Sequence, residues 1–436
     1  MPPRDGRELW KKAKTIIPGG SQLLSKRSEM FLPDLWPSYY SRAKGAEIWD
    51  LAGRRYVDMS IMGVGACILG YADDDVNRAV HEAVDLGSMA TLNCPEEVEL
   101  AELLLTLHPW AGMVRYARTG GEAMAVAVRI ARAKARKDTV AFCGYHGWHD
   151  WYLSANIARD QNLDGHLLPG LEPRGVPRSL GETAIPFSYN RLDELEAIVR
   201  DHEVAAIIME PVRHQEPAPG FLEGIRRIAD EIQAVLVFDE ITTGWRVRIG
   251  GAYPLYGVIP DIVVYAKAIS NGYPMAAIIG TGDVMESAQE SFISSTYWTE
   301  RIGPVAALAT IHKLETERVP EHLERVGRDM RSGLERLARD HGIPLQTMGL
   351  PALTSIQFDH PESQALLTLY TQELLKKGYL ASKSFYPSFA HTQQLVNGFL
   401  EAAEGVYAFL ENAMDQGRIQ ASLEGPVAHK GFTRLN

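Results

Sequence analysis

The 436-residue chain carries 44 Lys and Arg against 55 Asp and Glu, a formal charge of −11, which argues against a cationic face for nucleic-acid phosphates. With 46% hydrophobic and 23% charged residues, it has an ordinary globular composition and enough length to bury a large core in two domains. Cys67, Cys94 and Cys143 fall in no disulfide or metal-ligand pattern, and no apolar run reaches the roughly 18 residues of a membrane span, so a cytoplasmic protein with no membrane partner and no metal is expected.

Before about Gly70 the chain reads as short strands and turns; in 46–58 a turn centred on Gly53 separates two β-prone runs. From about Gly112 to Gly280, β-rich runs alternate with helical patterns, as in a mostly parallel α/β sheet. The expected strands are 113–118, 139–143, 204–209, 234–239, 262–266 and 275–280. Between the first two, Ala123, Val126, Ala127, Ile130 and Ala131 recur at i, i+3, i+4, i+7 and i+8. That stripe packs a helix on the sheet, with Arg129, Arg132 and Lys137 pointing elsewhere. After about Thr310 long helices are expected, with two or three strands such as 352–358. Domain boundaries are therefore drawn at 1–70, 71–310 and 311–436. No internal repeat is visible.

Residues able to carry chemistry gather at the ends of these runs. Arg118-Thr119-Gly120-Gly121-Glu122-Ala123 follows a strand and opens a helix, where free N–H groups and bare glycines suit a phosphate, although a Gly-Gly pair also fits an ordinary helix start. In Phe142-Cys143-Gly144-Tyr145-His146-Gly147-Trp148-His149-Asp150, Tyr145 offers a ring to stack on a planar ligand. His146 and His149 lack a third ligand that would make a metal site. Glu210 closes one strand and Asp239 another, and Ile241, two residues on, lies on the same side of an extended chain as Asp239. Lys267 ends the run 262–266, 28 residues after Asp239. A lysine closing a strand usually snorkels to solvent. Beside a carboxylate-tipped strand, a desolvated amine of lowered pKa suits Schiff-base chemistry. Pyridoxal 5′-phosphate needs such a pair: the lysine holds its aldehyde carbon as an imine, and the aspartate keeps its ring nitrogen protonated.

The stretches Phe238-Asp239-Glu240-Ile241-Thr242-Thr243-Gly244-Trp245-Arg246 and Pro260-Asp261-Ile262-Val263-Val264-Tyr265-Ala266-Lys267-Ala268-Ile269-Ser270-Asn271-Gly272-Tyr273-Pro274 resemble the two signature segments of class III aminotransferases. The likeness is to the branch that includes glutamate-1-semialdehyde aminomutase, and it runs from about Leu9 to about His391. It implies the α/β fold type I architecture: a mostly parallel sheet in a large domain, and an α+β small domain built from both chain ends. It also implies pyridoxal 5′-phosphate as cofactor, with Lys267 and Asp239 catalytic. Thr119, Gly120, Gly121, Tyr145, His146, Glu210, Asp239, Ile241 and Lys267 would surround the cofactor, its ring clamped between Tyr145 and Ile241. Thr296, within 294–304, matches a threonine that reaches the cofactor phosphate of the neighbouring subunit, which implies a homodimer. Two departures stand out. The family places threonine or serine where Gly121 stands, so one hydroxyl is missing and backbone groups are expected to carry more of the phosphate. Around Thr296, the residues Trp298, Glu300 and Arg301 replace the usual small Gly-Asn-Pro-containing continuation.

The resemblance implies transfer of an amino group from an amino-acid donor, glutamate being a frequent one, to a carbonyl acceptor. The carboxylate-pairing arginine of the glutamate-1-semialdehyde branch has an ambiguous counterpart here, Arg27, because the register of 19–27 is open by one residue. Phe31, Trp36, Tyr39, Tyr40, Trp148 and Trp298 either line a pocket for a hydroxylated substrate or belong to the core. The first option makes an oxidised sugar or aminoglycoside the expected acceptor. An aminomutase or epimerase acting on one substrate shares the same lysine chemistry, and a non-catalytic cofactor-binding protein is the reading from another class.

Overall fold

The structure is a computed structural model that describes residues 5–433 other than residue 167, together with Leu435. Two units fold around separate cores, one formed by Met1–Asp73 with Glu321–Asn436, the other by Asp74–Pro320. The first unit opens with an antiparallel meander of β1 (Tyr40–Lys44), β2 (Glu47–Asp50) and β3 (Arg55–Asp58). The turn between β2 and β3 is set by Gly53 at φ 79° and by Asp50 Oδ1, which accepts from the Ala52 and Arg54 N–H groups at 2.9 Å each.

The second unit is built on seven strands: β4 (Met113–Ala117), β5 (Thr139–Cys143), β6 (Ala184–Pro186), β7 (Val204–Met209), β8 (Val235–Asp239), β9 (Ile262–Tyr265) and β10 (Ala276–Gly280). They lie in the order β4-β10-β9-β8-β7-β5-β6. Every residue of β7, β8, β9 and β10 is buried, as the unbroken apolar runs require of strands covered on both faces. β10 alone runs against its neighbours β9 and β4. Only the turn after Tyr265 separates it from β9, and that is too short for a crossover helix. Because β10 lies between them, β4 and β9 point the same way as β8, β7, β5 and β6. Six carboxyl ends therefore share one edge of the sheet, where α/β folds gather their ligands.

The helix Gly120–Ala135 buries Ala123, Val126, Ala127, Ile130 and Ala131 as its periodicity predicts, and Met124 and Val128 besides. The short strand β6 escaped the sequence reading; it is three residues long and ends in Pro186, which suits an edge. The helix Ile302–Thr316 packs on the helix Asp74–Asp85 within this unit, so the second division falls at residue 320 where the sequence reading drew it near 310.

Back in the first unit, β11 (Leu345–Met348) and β12 (Thr354–Phe358) pair antiparallel, β13 (Tyr379–Leu380) adds to β3, and β14 (Ser384–Phe385) adds to β12. The strand expected from 352 starts later because Pro351–Leu353 forms a 3-10 turn. Helices Val319–Asp340, Ser363–Lys376 and Gln393–Asp415 supply most of this unit's apolar core. Phe31 and Trp36 stack with centroids 4.5 Å apart and join Leu32, Tyr56 and Leu380 in a smaller core; of the sequence's two options for these rings, the structure takes the core. Among the described residues no helix is long and apolar enough to cross a membrane.

Candidate active site

At the shared strand edge, Asp239 ends β8 with its carboxylate buried. Its Oδ1 accepts from the Ile241 N–H at 2.9 Å, and its Oδ2 lies 2.7 Å from His146 Nδ1. The other ring nitrogen, Nε2, is 3.0 Å from the Cys143 carbonyl oxygen. Both nitrogens of His146 thus face acceptors, so the ring is held from two sides and fixes the carboxylate in turn. Sequence reading put His146 near the cofactor without a role, and the structure turns it towards Asp239. Among the described residues no cluster of three or more His, Cys, Asp or Glu is arranged for a metal ion.

Lys267 follows β9 with φ 51°, a left-handed conformation that costs a non-glycine residue about 1 kcal/mol or more. This turn directs Nζ to Thr242 Oγ1 at 2.9 Å. Burial pushes the amine down to about 8, with Arg213 and Arg246 acting in the same direction and Glu210 and Asp239 against it. Thr242 was not singled out from the sequence; the clue was its place three residues after Asp239, on the turn that leaves the same strand.

Glu210, immediately after β7, is buried and receives Arg213 Nη1 at 2.9 Å on Oε1 and 3.2 Å on Oε2. Burial pushes this carboxyl up, Arg213 opposes the shift and Asp239 adds to it. A side chain at Gly144 would meet Glu210 Oε2 at 3.2 Å, so the glycine ahead of Tyr145 lets the two loops touch. Tyr145 and Ile241 are half-buried and pack on one apolar core together with Trp298. Sequence reasoning missed Arg213, whose one signal was a charged residue directly behind a buried strand.

The cradle at the start of helix Gly120–Ala135 is organised by a capping box: Thr119 Oγ1 accepts from the Glu122 N–H at 3.4 Å, and Glu122 Oε2 accepts from the Thr119 N–H at 3.0 Å. The N–H groups of Gly120 and Gly121 begin the helix and have no carbonyl to bond within it. A Cβ at Gly120 would stand 2.9 Å from Ile241 Cδ1, and one at Gly121 2.9 Å from His149 Cε1. His149 is half-buried, and burial lowers its pKa against the raising influence of Glu122 and Asp150.

Thr296 stands apart from this group. It is exposed and opens the 3-10 turn Thr296–Thr299. Arg118, just before the cradle, ties that segment down through Glu300: Nε lies 2.7 Å from Glu300 Oε1, and Nη2 donates to the Glu300 carbonyl at 2.8 Å. In the first unit, Arg27 Nη1 donates to the Thr433 carbonyl at 3.1 Å and its guanidinium lies over the Phe432 ring, so that side chain is engaged by the tail of its own unit.

A family model described as aminotransferase class-III matches residues 33–401. The 3-aminobutyryl-CoA aminotransferase of Cloacimonas acidaminovorans (strain Evry) is 32% identical over 381 residues, covering 84% of this chain and 87% of that protein. The glutamate-1-semialdehyde 2,1-aminomutase of Roseiflexus castenholzii (strain DSM 13941 / HLO8) is 33% identical over 437 residues, covering 94% and 98%. A PLP form of the FumI protein from Sphingopyxis sp. MTA144 superposes with a TM-score of 0.85 at 25% identity, covering 94% of this chain and 97% of that one.

Proposed function

This chain belongs to the class III aminotransferases, pyridoxal 5′-phosphate enzymes of fold type I, and from that premise we propose that it moves an amino group from an amino-acid donor to an aldehyde or ketone. The observation that carries the reading is the meeting of a lysine amine lowered to about 8 with a buried, histidine-held carboxylate at the ends of adjacent parallel strands.

The residues fit the cofactor. Gly120 and Gly121, without Cβ atoms, let Ile241 and His149 lie directly against the helix start, where the first N–H groups have no carbonyl to bond within the helix and suit an anion. In this reading Thr119, Gly120 and Gly121 hold the phosphate, Tyr145 and Ile241 flank the ring, Asp239 takes the ring nitrogen and Lys267 the aldehyde carbon. When bound, the cofactor supplies that aldehyde and an electron-accepting ring. The chain supplies the rest. Lys267 Nζ, with its conjugate acid near 8, is basic enough to take a proton from the amino-bearing carbon of the substrate and acidic enough to return it. Thr242 Oγ1 holds Nζ in place between those transfers. His146 prevents Asp239 from turning away.

We assign Arg213 to the carboxylate of the amino donor. It already grips a carboxylate, that of Glu210, and its charge is felt at Lys267. Within the carbonyl class we propose an oxidised sugar as acceptor, supported by the exposed indole of Trp148 beside the cradle, a flat apolar face of the kind that packs on sugar rings. A homodimer in which Thr296 of the partner subunit reaches the phosphate is supported by exposed Leu86, Leu92, Val98, Phe292 and Tyr297 in the same unit as the site.

The second reading is an aminomutase that works on a single substrate, favoured by the 33% identity to the Roseiflexus aminomutase over nearly the full chain. A spectroscopic screen separates the two. The purified holoenzyme is titrated with amino donors, then with aldehyde and keto-sugar acceptors. A change in cofactor absorbance with glutamate or another amino acid, reversed by a carbonyl acceptor, supports transfer between two substrates. Turnover of an amino aldehyde with no donor added favours the aminomutase. No response to any amine would remove both.

A further inference from the structure

Gly121 costs the cradle a hydroxyl, and the Thr119 hydroxyl beside it is already accepting the Glu122 N–H. A doubly charged phosphate would therefore find one side-chain donor at the helix start, the Thr119 O–H, where the family's pattern offers two. The loop that follows β5 covers the gap. Gly147, at φ 110°, comes so close that a Cβ there would lie 3.2 Å from Gly121 Cα. This approach lays the His149 ring over Gly121, where a Cβ would stand 3.0 Å from His149 Nδ1. The indole of Trp148 stacks on the imidazole with centroids 4.4 Å apart. Nδ1 is shielded from solvent and has no hydrogen-bond partner among the described residues. A buried polar atom left in that state is unfavourable, and it faces a helix start suited to an anion.

We propose that His149 Nδ1 donates a hydrogen bond to the cofactor phosphate, replacing the hydroxyl that position 121 does not provide. A side chain at 121 and the ring of His149 exclude each other, so this chain carries one solution to phosphate binding in place of the other. The donor is available in either protonation state: the neutral ring can carry its proton on Nδ1, and the cation carries one on both nitrogens. The proposal rests on the cradle being the phosphate site.

The test follows cofactor loss after dilution of the holoenzyme into cofactor-free buffer, read by visible absorbance. His149→Ala is expected to lose cofactor roughly 10- to 100-fold faster, the range of one hydrogen bond to a charged group. His149→Asn, whose amide nitrogen can occupy the place of Nδ1, should stay close to the wild type. Gly121→Ser alone should weaken retention because its Cβ meets the imidazole, whereas Gly121→Ser combined with His149→Ala should recover most of it. Retention by His149→Ala equal to wild type, or loss by His149→Asn equal to that of His149→Ala, would overturn the assignment. A measurement on the wild type needs no variant to fold: the 15N resonance of His149 Nδ1 should differ between protein loaded with pyridoxal 5′-phosphate and protein loaded with pyridoxal, which has no phosphate. Identical resonances contradict the contact. Failure of the wild type to bind either compound would instead remove the functional reading on which the proposal stands.

Discussion

Asp239 and Glu240 are neighbours at the end of β8, both carboxylates and both buried, yet they belong to different regions with different work. On one face Asp239 meets His146 and the Ile241 N–H. On the other, Glu240 accepts from the backbone N–H of Ala252 at 2.8 Å and of Tyr253 at 2.7 Å, and from the Thr243 hydroxyl at 3.0 Å. The alternation of an extended chain sends adjacent side chains to opposite sides. One residue of register therefore separates the group we assign to the cofactor from one that pins the 250–253 loop. Burial alone marks neither as functional; the partners do.

The comparison is sharpened most by variants on the Asp239 side. Lys267→Ala should lower kcat by roughly 10⁴-fold, the upper range for a general acid–base group, while the protein still binds cofactor; steady-state assay and absorbance of the isolated protein check both. Asp239→Asn should lower kcat by about 10²- to 10³-fold, the scale of a lost electrostatic partner in a water-poor site, and an unchanged rate would break the distinction between the two faces. His146→Phe should lower kcat by roughly tenfold through a carboxylate that is no longer held, the scale of one hydrogen bond to a charged group. Glu240→Gln should have the smallest effect on turnover and appear in stability against pH. The Glu240 carboxyl is raised from 4.5 to about 7 by burial, its partners opposing. Between those values the folded protein holds a proton that the unfolded chain releases. This group's contribution is therefore full below 4.5 and lost as pH rises through about 7. Denaturation of Glu240→Gln across that range should show a flatter loss of stability than the wild type; parallel curves would contradict the assigned role.

Much of this was legible in the chain itself. The strand-ending Lys267 and Asp239 were visible because parallel strands covered on both faces leave unbroken apolar runs whose first polar residue marks the carboxyl end. The helix after Thr119 showed through its stripe of small apolar residues. Three features did not show. Arg213 and Thr242 act through turns whose direction depends on backbone conformation, and that conformation is not written in periodicity. The place of His149 over Gly121 depends on a loop from β5 folding back onto the helix after β4, a long-range approach permitted by Gly147 at φ 110°. In sequence, the missing hydroxyl at 121 read as a loss; in space, an imidazole lies there. Phe31 and Trp36 left two options open because large aromatics suit cores and pockets alike, and their stacking in a small core decided the matter.

The site of cofactor attachment decides most directly whether Lys267 does this chemistry. Borohydride reduction of the holoenzyme followed by peptide mass mapping should find the pyridoxyl mass on Lys267 and on no other lysine. A label on a different lysine, or none in protein that retains its cofactor colour before reduction, would contradict it.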